Sequence, residues 1–485
     1  MQLSEYVKFD GLGLAELVRR REVKAEELVK TTLKAIEALN PRLNAVIGVL
    51  EEEARSTLAK GLPEGPFTGV PLLFKDLVLH GAGIPSELGS RLFKGLVFPD
   101  DSTLMSRFRR AGLVPLARTN TPELGFNAST EPVLHGPTRN PWNPEFSSGG
   151  SSGGSAAAVS AGIVPLAHAN DGGGSIRIPA SLCGLFGLKP TRGRVPVGPD
   201  AAEALNGHGI EHLLSRTVRD SAAMLDFTQG PDVGDPYVIA PPARPYLEEV
   251  GREPGRLRIA FSRATITGDV TSPECVAAVE DAARLCGELG HELVEARLPV
   301  DGAAFEECLA LIWCSGLAAW VYGLAGATGR TPGPDVMEAG NWAAVQKGVS
   351  MTAMELQKGL AIMNHIARTV GRFFVNHDAL LTPTVPCAPH RLGVLNANAP
   401  QTAREWMRKV FSYCAFTAPF NVTGQPAMSV PLHWSARGMP IGVQFVGRWG
   451  DEATLFRLAG QLERARPWAH RTPAVHVTNL PGRPG

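Results

Sequence analysis

The feature that most constrains the fold is a run rich in glycine and serine that continues directly into apolar sequence. Residues 149–155 read GGSSGGS, and the apolar segment AAAVSAGIVPLAHA follows at residues 156–169. A second run, DGGGS, lies just beyond it at residues 171–175. Flexible Gly/Ser linkers join separate domains, whereas these runs border a helix-like and a strand-like segment. We therefore predict that the glycines stand where the backbone needs positive φ or approaches a ligand closely.

Segments with helix and strand patterns alternate along the first half of the chain. Residues 25–41 predict a helix that stops at Asn40-Pro41. Residues 154–162 predict a second helix, and residues 163–169 predict a buried strand. The alternation predicts an α/β fold whose sheet is parallel or mixed and is covered by helices on both faces.

Composition narrows the classes of partner. Lys and Arg number 47, as do Asp and Glu, and this balance argues against nucleic acid and against a polybasic membrane anchor. The seven cysteines form no CxxC pair, which indicates free thiols in a reducing, cytoplasmic setting. Residues 1–20 carry charges throughout and lack the apolar core of a signal peptide. We expect a cytoplasmic protein.

One segment has the length of a membrane span. Residues 308–329 contain no charged side chain. The segment is rich in glycine and alanine, its aromatic residues lie in the middle, and no Lys/Arg cluster flanks it. We therefore expect a buried helix followed by a loop and no membrane span.

A short motif offers one interpretation of the first serine run. Residues 149–153 and 150–154 both match G-x-S-x-G, the nucleophile elbow of α/β-hydrolases, with Ser151 or Ser152 as nucleophile. The motif is easily matched by chance in Gly/Ser-rich sequence. It also leaves DGGGSIR (171–177) without a role.

A second motif suggests zinc. HGIEH at residues 208–212 matches H-x-x-E-H, whose ligands need a continuous helix. Gly207 and Gly209 interrupt a helix here, and no third ligand is evident. We therefore expect His208 and His212 to be loop histidines at the surface, and we predict no metal site.

The remaining interpretation uses two serines and a lysine. Ser175 follows the glycines at 172–174, whose backbone N–H groups could converge on one oxygen as an oxyanion hole requires. Serine needs a base, and Lys75 lies in the apolar segment GVPLLFKDL. Burial would lower the pKa of Lys75 toward neutrality, although a solvated lysine beside Asp76 fits the same residues. If Lys75 is the base, we expect Asp76 to point away from it, because neighbouring strand residues face opposite sides.

Several longer blocks resemble the amidase signature family. The similarity extends over most of the 485 residues, from about residue 10 to residue 465, in the order found in that family. The blocks are GVPLLFKDL (69–77), TRNPWNP (138–144), GGSSGGSAAAVSAG (149–162), DGGGSIRIPASLCGLFGLKPT (171–191), LTPTVP (381–386), FNVTGQPAMSVP (420–431) and GMPIGVQFVG (438–447). The resemblance implies a single large α/β/α domain with a mixed, twisted sheet, and a serine-dependent amidase without metal or cofactor.

The resemblance also implies roles for individual residues. Ser175 corresponds to the nucleophile, Ser151 to a serine after a cis peptide bond that relays the proton, and Lys75 to the base. The implied oxyanion hole consists of the N–H groups of Gly172, Gly173, Gly174 and Ser175. The positions expected to give structural support are Ser152, Asp171 and Arg177.

The loop before the nucleophile departs from the commonest family pattern. Many members have G-T-D-T/I-G-G-S, whereas this chain has ANDGGGS at residues 169–175. With RIPASLCGLFGLKPTRGR (177–194), this variant is similar to the branch that contains 6-aminohexanoate cyclic-dimer hydrolase. An amidotransferase A-type subunit that delivers ammonia to a partner, or a non-catalytic binding protein of the same fold, are the alternatives. The intact serines and lysine argue against the latter.

We expect one amidase domain over residues 1–485. Its parts are an N-terminal helical region (1–64), a catalytic core (65–228), a Pro/Gly-rich connection (229–256) and a C-terminal half that completes the sheet and substrate pocket (257–485). Trp313 and Cys314 are candidate pocket residues, although core packing explains them equally well. The expected partner is a small-molecule amide, and the surface composition neither requires nor excludes a homodimer.

Overall fold

The computed structural model describes residues 1–480 and contains one mixed sheet of eleven strands. The order across the sheet is β1-β3-β2-β4-β6-β5-β10-β11-β9-β7-β8. The strands are β1 (Val46–Val49), β2 (Pro71–Lys75), β3 (Val114–Thr119), β4 (Leu166–Asp171), β5 (Phe186–Lys189), β6 (Ile210–Ser215), β7 (Arg258–Phe261), β8 (Glu292–Glu295), β9 (Ala379–Pro383), β10 (Ala427–Trp434) and β11 (Pro440–Gly447).

The sheet combines parallel and antiparallel pairs. Strand β2 runs parallel to both β3 and β4, and β7 runs parallel to β8 and β9. The other pairs are antiparallel, including β5 with β10, which joins the strands of the two halves of the chain. The prediction of a mixed sheet is confirmed.

Side chains of successive strand residues enter different apolar cores, so both faces of the sheet are covered. In β2, Leu72 and Phe74 belong to one core and Leu73 to another, as alternation along a strand requires. Helices α8, α10 and α16 pack on the first face, and α3, α6, α11, α12 and α14 pack on the second. The helices are α1 (Leu3–Tyr6), α2 (Gly11–Arg19), α3 (Ala25–Leu43), α4 (Glu51–Ala59), α5 (Thr103–Arg110), α6 (Gly153–Ser160), α7 (Arg177–Cys183), α8 (Val218–Thr228), α9 (Tyr246–Val250), α10 (Pro273–Glu288), α11 (Gly302–Ala327), α12 (Ala339–Val349), α13 (Ala353–Phe373), α14 (Ala403–Tyr413), α15 (Pro419–Thr423) and α16 (Glu452–Ala465).

The end of α3 differs from the prediction. The helix continues through Pro41 to Leu43 and ends at Asn44, whose φ of 49° is left-handed. Pro41 lies in the last turn, where its missing N–H costs a single helical hydrogen bond. The side chain of Asn40 then accepts hydrogen bonds from the N–H groups of Ala45 and Val46, both at 2.8 Å, and turns the chain toward β1.

The uncharged segment forms helix α11, as expected, although the helix begins earlier, at Gly302. Within the part of the chain that the structure describes, α11 is the one helix long and apolar enough to cross a membrane. Of its most apolar stretch, 56% is buried inside the protein, where the helix packs against α12 and α13.

The predicted surface position of the HGIEH histidines is wrong. Strand β6 lies between β4 and β5 in the interior of the sheet, so His212 is buried, and His208 just before the strand is buried as well. Burial lowers the pKa of each imidazole to about 3, which keeps both neutral. Adjacent strand residues face opposite sides, so Glu211 and His212 cannot share one ligand site.

Candidate active site

Two parallel strands bring the predicted residues to one edge of the sheet. Lys75 is the last residue of β2, and Asp171 is the last residue of β4, its parallel neighbour. The carboxyl ends of parallel strands meet at the same edge, and ligands bind there in open α/β sheets. The two Gly/Ser runs also meet, because the N–H of Ser152 donates to the carbonyl of Ser175 at 3.3 Å.

Lys75 is fully buried and makes two side-chain hydrogen bonds. Its Nζ donates to Ser151 Oγ at 2.6 Å and to Asn170 Oδ1 at 2.5 Å. The amide orientation of Asn170 follows from its Nδ2, which donates to the carbonyl of Leu77 at 2.9 Å. Burial lowers the pKa of Lys75 to about 7, although the nearby carboxylates of Glu211 and Asp171 act in the opposite direction. The ammonium and the free amine are therefore both accessible near neutral pH.

Asp76 belongs to a separate polar cluster, as expected. Its carboxylate accepts hydrogen bonds from the N–H of Glu87 at 3.0 Å and from Arg118 at 3.1 Å. Burial raises the pKa of Asp76 to about 7 against the opposing effect of Arg118. Asp76, Glu87 and His135 lie close enough together to hold a metal ion, but the Arg118 guanidinium already bonds both carboxylates. This cluster therefore already contains a cation.

The loop between β4 and α7 presents a row of free backbone donors. The N–H groups of Gly172, Gly173, Gly174 and Ser175 have no hydrogen-bond acceptor among residues 1–480. The hydroxyl of Thr417 donates to the carbonyl of Gly173 at 2.7 Å and fixes the loop from behind. Gly174 has a φ of 139°, and a Cβ there would collide with Thr417. The loop can therefore direct several N–H groups at one oxygen, as an oxyanion hole does.

Ser151 follows a cis peptide bond to Gly150. A Cβ on Gly150 would lie 2.6 Å from the carbonyl oxygen of Asn127, so only glycine fits at this position. The neighbouring Ser152 donates from its hydroxyl to the carbonyl of Asn170 at 3.2 Å. Ser152 thus ties the first serine run to the end of β4 and leaves Ser151 to contact Lys75.

Asp171 and Arg177 form a buried ion pair beneath the glycine loop. Arg177 Nη2 donates to Asp171 Oδ1 at 2.7 Å, and its Nε donates to Oδ2 at 2.9 Å. Burial raises the pKa of Asp171, but the Arg177 charge prevails and holds it at about 2. Asn421 joins the pair by donating to the carbonyl of Asp171 at 2.8 Å. These contacts anchor both ends of the loop that carries Ser175.

A cavity of about 540 Å³ opens over these groups. Ser151, Ser175 and Gly172 border it. Its apolar wall consists of Leu77, Val78, Leu88, Phe98, Leu124, Leu205, Trp313, Trp320 and Leu324. The volume lies within the range of small-molecule sites, and the polar groups around Ser175 would orient an amide.

Of the two predicted pocket residues, the structure places only Trp313 on this cavity. Trp313 packs against Gly172, where a Cβ would lie 3.1 Å from the indole ring. Consecutive helix residues point about 100° apart, so Cys314 faces away from Trp313. The structure places it on a separate cavity of about 420 Å³, and the backbone of Cys314 contacts Gly348 of α12. The expectation that Cys314 lines the substrate pocket is thereby corrected.

Two further residues of the site, Asn170 and Glu211, were not predicted from the sequence. Glu211 on β6 is directly opposite Asn170 on β4, borders the cavity, and its carboxylate lies 2.6 Å from His168 Nε2. Its charge favours the ammonium form of Lys75. The one feature of the sequence that could have pointed to Asn170 is its position next to Asp171. The contact between Asn170 and Lys75, however, depends on the pairing of β2 with β4, which are far apart in the sequence.

Known proteins resemble this chain over nearly its whole length. The Amidase family model matches residues 27–456. The chain is 39% identical to a 6-aminohexanoate-cyclic-dimer hydrolase of Paenarthrobacter ureafaciens over 481 residues, which covers 96% of each protein. The solved structure of 6-aminohexanoate cyclic dimer hydrolase complexed with substrate superposes with a TM-score of 0.92 at 38% identity, and covers 97% of this chain and 99% of that chain.

A more distant solved structure shares the fold. A bacterial aryl acylamidase of the amidase signature family superposes with a TM-score of 0.86 at 27% identity, and covers 98% of this chain and 99% of that chain. Sequence similarity and fold both extend over nearly the whole length of the chain, and the family model spans the two serine runs and Lys75. The chain therefore belongs to the amidase signature family and is a hydrolase of the amidase class.

Proposed function

We propose that this enzyme hydrolyses carboxamides through an acyl-enzyme, with Ser175 as nucleophile, Ser151 as proton relay and Lys75 as base. The observation that carries the proposal is the buried Lys75, which has a pKa of about 7 and lies 2.6 Å from Ser151 at the cavity wall. A base is most effective when its pKa is close to the working pH. The amine form of Lys75 meets that condition.

Asn170 prepares Lys75 for this role. An amide oxygen accepts hydrogen bonds and cannot donate, so Asn170 Oδ1 must face an N–H of Lys75. In the neutral amine this leaves the lone pair free to turn toward the hydroxyl of Ser151. Ser151 can then pass its proton to Lys75 while it accepts the proton of Ser175.

The acylation step uses the free N–H groups of the glycine loop. As Ser175 loses its proton, its Oγ attacks the amide carbon, and the carbonyl oxygen takes up negative charge. The N–H groups of residues 172–175 donate to that oxygen. The proton held by Lys75 returns through Ser151 to the departing nitrogen, the C–N bond breaks, and the amine leaves.

Deacylation repeats these transfers with water. Water gives a proton through Ser151 to Lys75 and attacks the ester carbon of the acyl-enzyme. The intermediate then breaks the bond to Ser175 Oγ, which takes the proton back. The products are a carboxylic acid and an amine, and the three side chains return to their starting states.

The cavity supports uncharged amides as substrates. Its wall is mostly apolar, and a relative with 39% identity is named for hydrolysis of a cyclic dimer. We propose that linear or cyclic amides with apolar chains react better than amides with a charged group near the carbonyl. An apolar wall gains from burying methylene groups and loses from burying a charge.

The test is hydrolysis of an amide panel by the purified chain in the presence of EDTA. The panel contains cyclic, linear and anilide substrates, and the acid and amine products are quantified separately. We expect turnover by the wild type and none by Ser175→Ala, with the acyl group of a slow substrate mapped to Ser175. Failure of the wild type on every cyclic, linear and anilide amide would contradict the proposal. Turnover that needs co-purifying subunits would favour an amidotransferase.

A further inference from the structure

Trp313 carries a buried hydrogen-bond donor without a partner. Its side chain is 5% exposed, and no acceptor among residues 1–480 takes the hydrogen of Nε1. Two comparably buried tryptophans are satisfied, because Trp406 donates to Asn341 at 3.0 Å and Trp468 donates to the carbonyl of Arg216 at 2.9 Å. A buried indole N–H is usually hydrogen-bonded. The free N–H of Trp313 therefore suggests an acceptor that belongs to a bound ligand.

The position of the indole is fixed by its neighbours. Phe126 stacks on it with a centroid separation of 5.0 Å, and Phe411 meets it edge-on at 5.4 Å. The ring atoms closest to Gly172 are Cη2 and Cζ2. Because Cζ2 and Nε1 are bonded to the same ring carbon, the free N–H lies next to the ring edge that contacts the glycine loop, and the Trp313 side chain borders the cavity that contains Ser175.

The charges around the cavity select the kind of acceptor. Its titratable lining residues are His80, Asp171, Asp200, Glu203 and Glu211, and no lysine or arginine of the described chain lines it. Asp171, Asp200 and Glu211 each face a basic partner, and the charge of Arg192, which does not line the cavity, acts on Glu203. A substrate carboxylate would find no lysine or arginine of residues 1–480 to pair with in this cavity, so an uncharged carbonyl oxygen is the suitable acceptor.

We propose that Trp313 Nε1 donates a hydrogen bond to a second, non-reacting carbonyl oxygen of the substrate. The preferred substrates are then neutral diamides, in which one carbonyl enters the glycine loop and the other contacts Trp313. This inference rests on the proposed attack of Ser175 on an amide. It makes Trp313 a residue that determines specificity, and it assigns the chemistry to the indole N–H rather than to the ring surface.

The experiment compares wild type and Trp313→Phe on two matched substrates. One is 6-aminohexanoate cyclic dimer, and the other is a cyclic monoamide of equal ring size with methylene groups in place of the second amide. Phenylalanine keeps an aromatic ring but removes the donor. We expect kcat/KM for the diamide to fall about tenfold, mainly through KM, as loss of one hydrogen bond predicts. For the monoamide we expect a change of less than about twofold.

Trp320→Phe is the control. Trp320 lies on the same helix and lines the same cavity, but its indole N–H, unlike that of Trp313, is not among the buried donors that lack an acceptor. It should change both substrates in parallel. Equal losses on both substrates in Trp313→Phe, or no loss on either, would overturn the inference. A thermal unfolding curve of each variant separates a folding defect from a loss of specificity.

The wild type provides a second test that needs no variant. It should prefer the diamide to the matched monoamide by about tenfold in kcat/KM, and it should disfavour an analogue with a carboxylate in place of the second amide. Equal kcat/KM for diamide and monoamide, or a preference for the carboxylate, would overturn the inference but leave the proposed function standing. If the wild type hydrolyses none of the three, the proposed function itself fails.

Discussion

The protein buries two lysines, one at the end of β2 and one at the end of β5, and they differ in what they contact. Lys75 and Lys189 are both fully buried, and burial lowers the pKa of each. Lys75 bonds Ser151 and Asn170, which border the cavity. Among residues 1–480, the single hydrogen bond that Lys189 Nζ donates goes to the carbonyl of Pro190 at 2.9 Å, and Lys189 does not border the cavity. Burial therefore lowers the pKa of both lysines, but of the two only Lys75 contacts a hydroxyl that borders the cavity, and this contact is what suits it to act as a base.

The largest expected loss of activity is for substitution of Ser175, the proposed nucleophile, from which the proton is removed. Ser175→Ala removes the attacking oxygen, and we expect kcat for amides to fall by at least about 10⁴-fold. Peptide mapping after reaction of the wild type with a sulfonyl fluoride should place the adduct on Ser175. An adduct on Ser152, together with an active Ser175→Ala, would make the G-x-S-x-G elbow the correct interpretation.

The second prediction compares the effect on kcat of substituting each of the two buried lysines. Lys75→Arg keeps a positive charge but cannot release its proton, so we expect kcat to fall about 10³-fold. Lys189→Met replaces a buried amine that does not contact the cavity with an apolar chain of similar length, and we expect kcat within about threefold of the wild type. Steady-state kinetics on one amide suffices. Comparable losses in both variants would remove the distinction between the two lysines.

Ser151→Ala removes the hydroxyl that is proposed to carry the proton from Ser175 to Lys75. Without this hydroxyl the proton of Ser175 has no carrier to Lys75, although the glycine loop still stabilises the charged oxygen. We expect kcat to fall about 10²-fold, less than for Ser175→Ala. The measurement is burst kinetics with an activated anilide, in which acylation should slow and the burst should disappear. Undiminished acylation would show that Ser175 loses its proton by another route.

A smaller effect is expected at Asn170, which has no counterpart beside Lys189. Asn170→Asp places a carboxylate against Lys75 Nζ, which stabilises the ammonium and raises the pKa of Lys75. Less neutral amine is then present at pH 7, and we expect kcat/KM there to fall about tenfold. The loss should be recovered at higher pH. Asn170→Leu, which adds no charge, should show no such recovery.

The sequence predicted the parts of the site that depend on local pattern. The strand predicted over residues 163–169 overlaps β4, the helix predicted over residues 154–162 overlaps α6, and the positive φ expected in the glycine runs is found at Gly174. The opposite directions of Lys75 and Asp76 follow from strand alternation.

The parts that the sequence could not predict depend on distant contacts. Asn170 meets Lys75 only because β2 and β4 pair across more than ninety residues. His212 is buried because β6 lies between β4 and β5 in the sheet. The glycines at 207 and 209 indicated a surface loop instead. The absence of Cys314 from the cavity depends on how α11 turns against α12, since Gly348 admits the backbone of Cys314.

The most direct test of whether Lys75 is the base is the pH dependence of kcat/KM for one neutral amide. The pKa of Lys75 is lowered to about 7, so the amine form increases as pH rises through that value. With a neutral amide, no ionisation of the substrate contributes to the profile. We expect activity to rise from pH 6 to about pH 8 and then to level off, both in the wild type and in Lys189→Met. A Lys75→Arg enzyme that keeps this profile and a near wild-type kcat would show that position 75 is not the base.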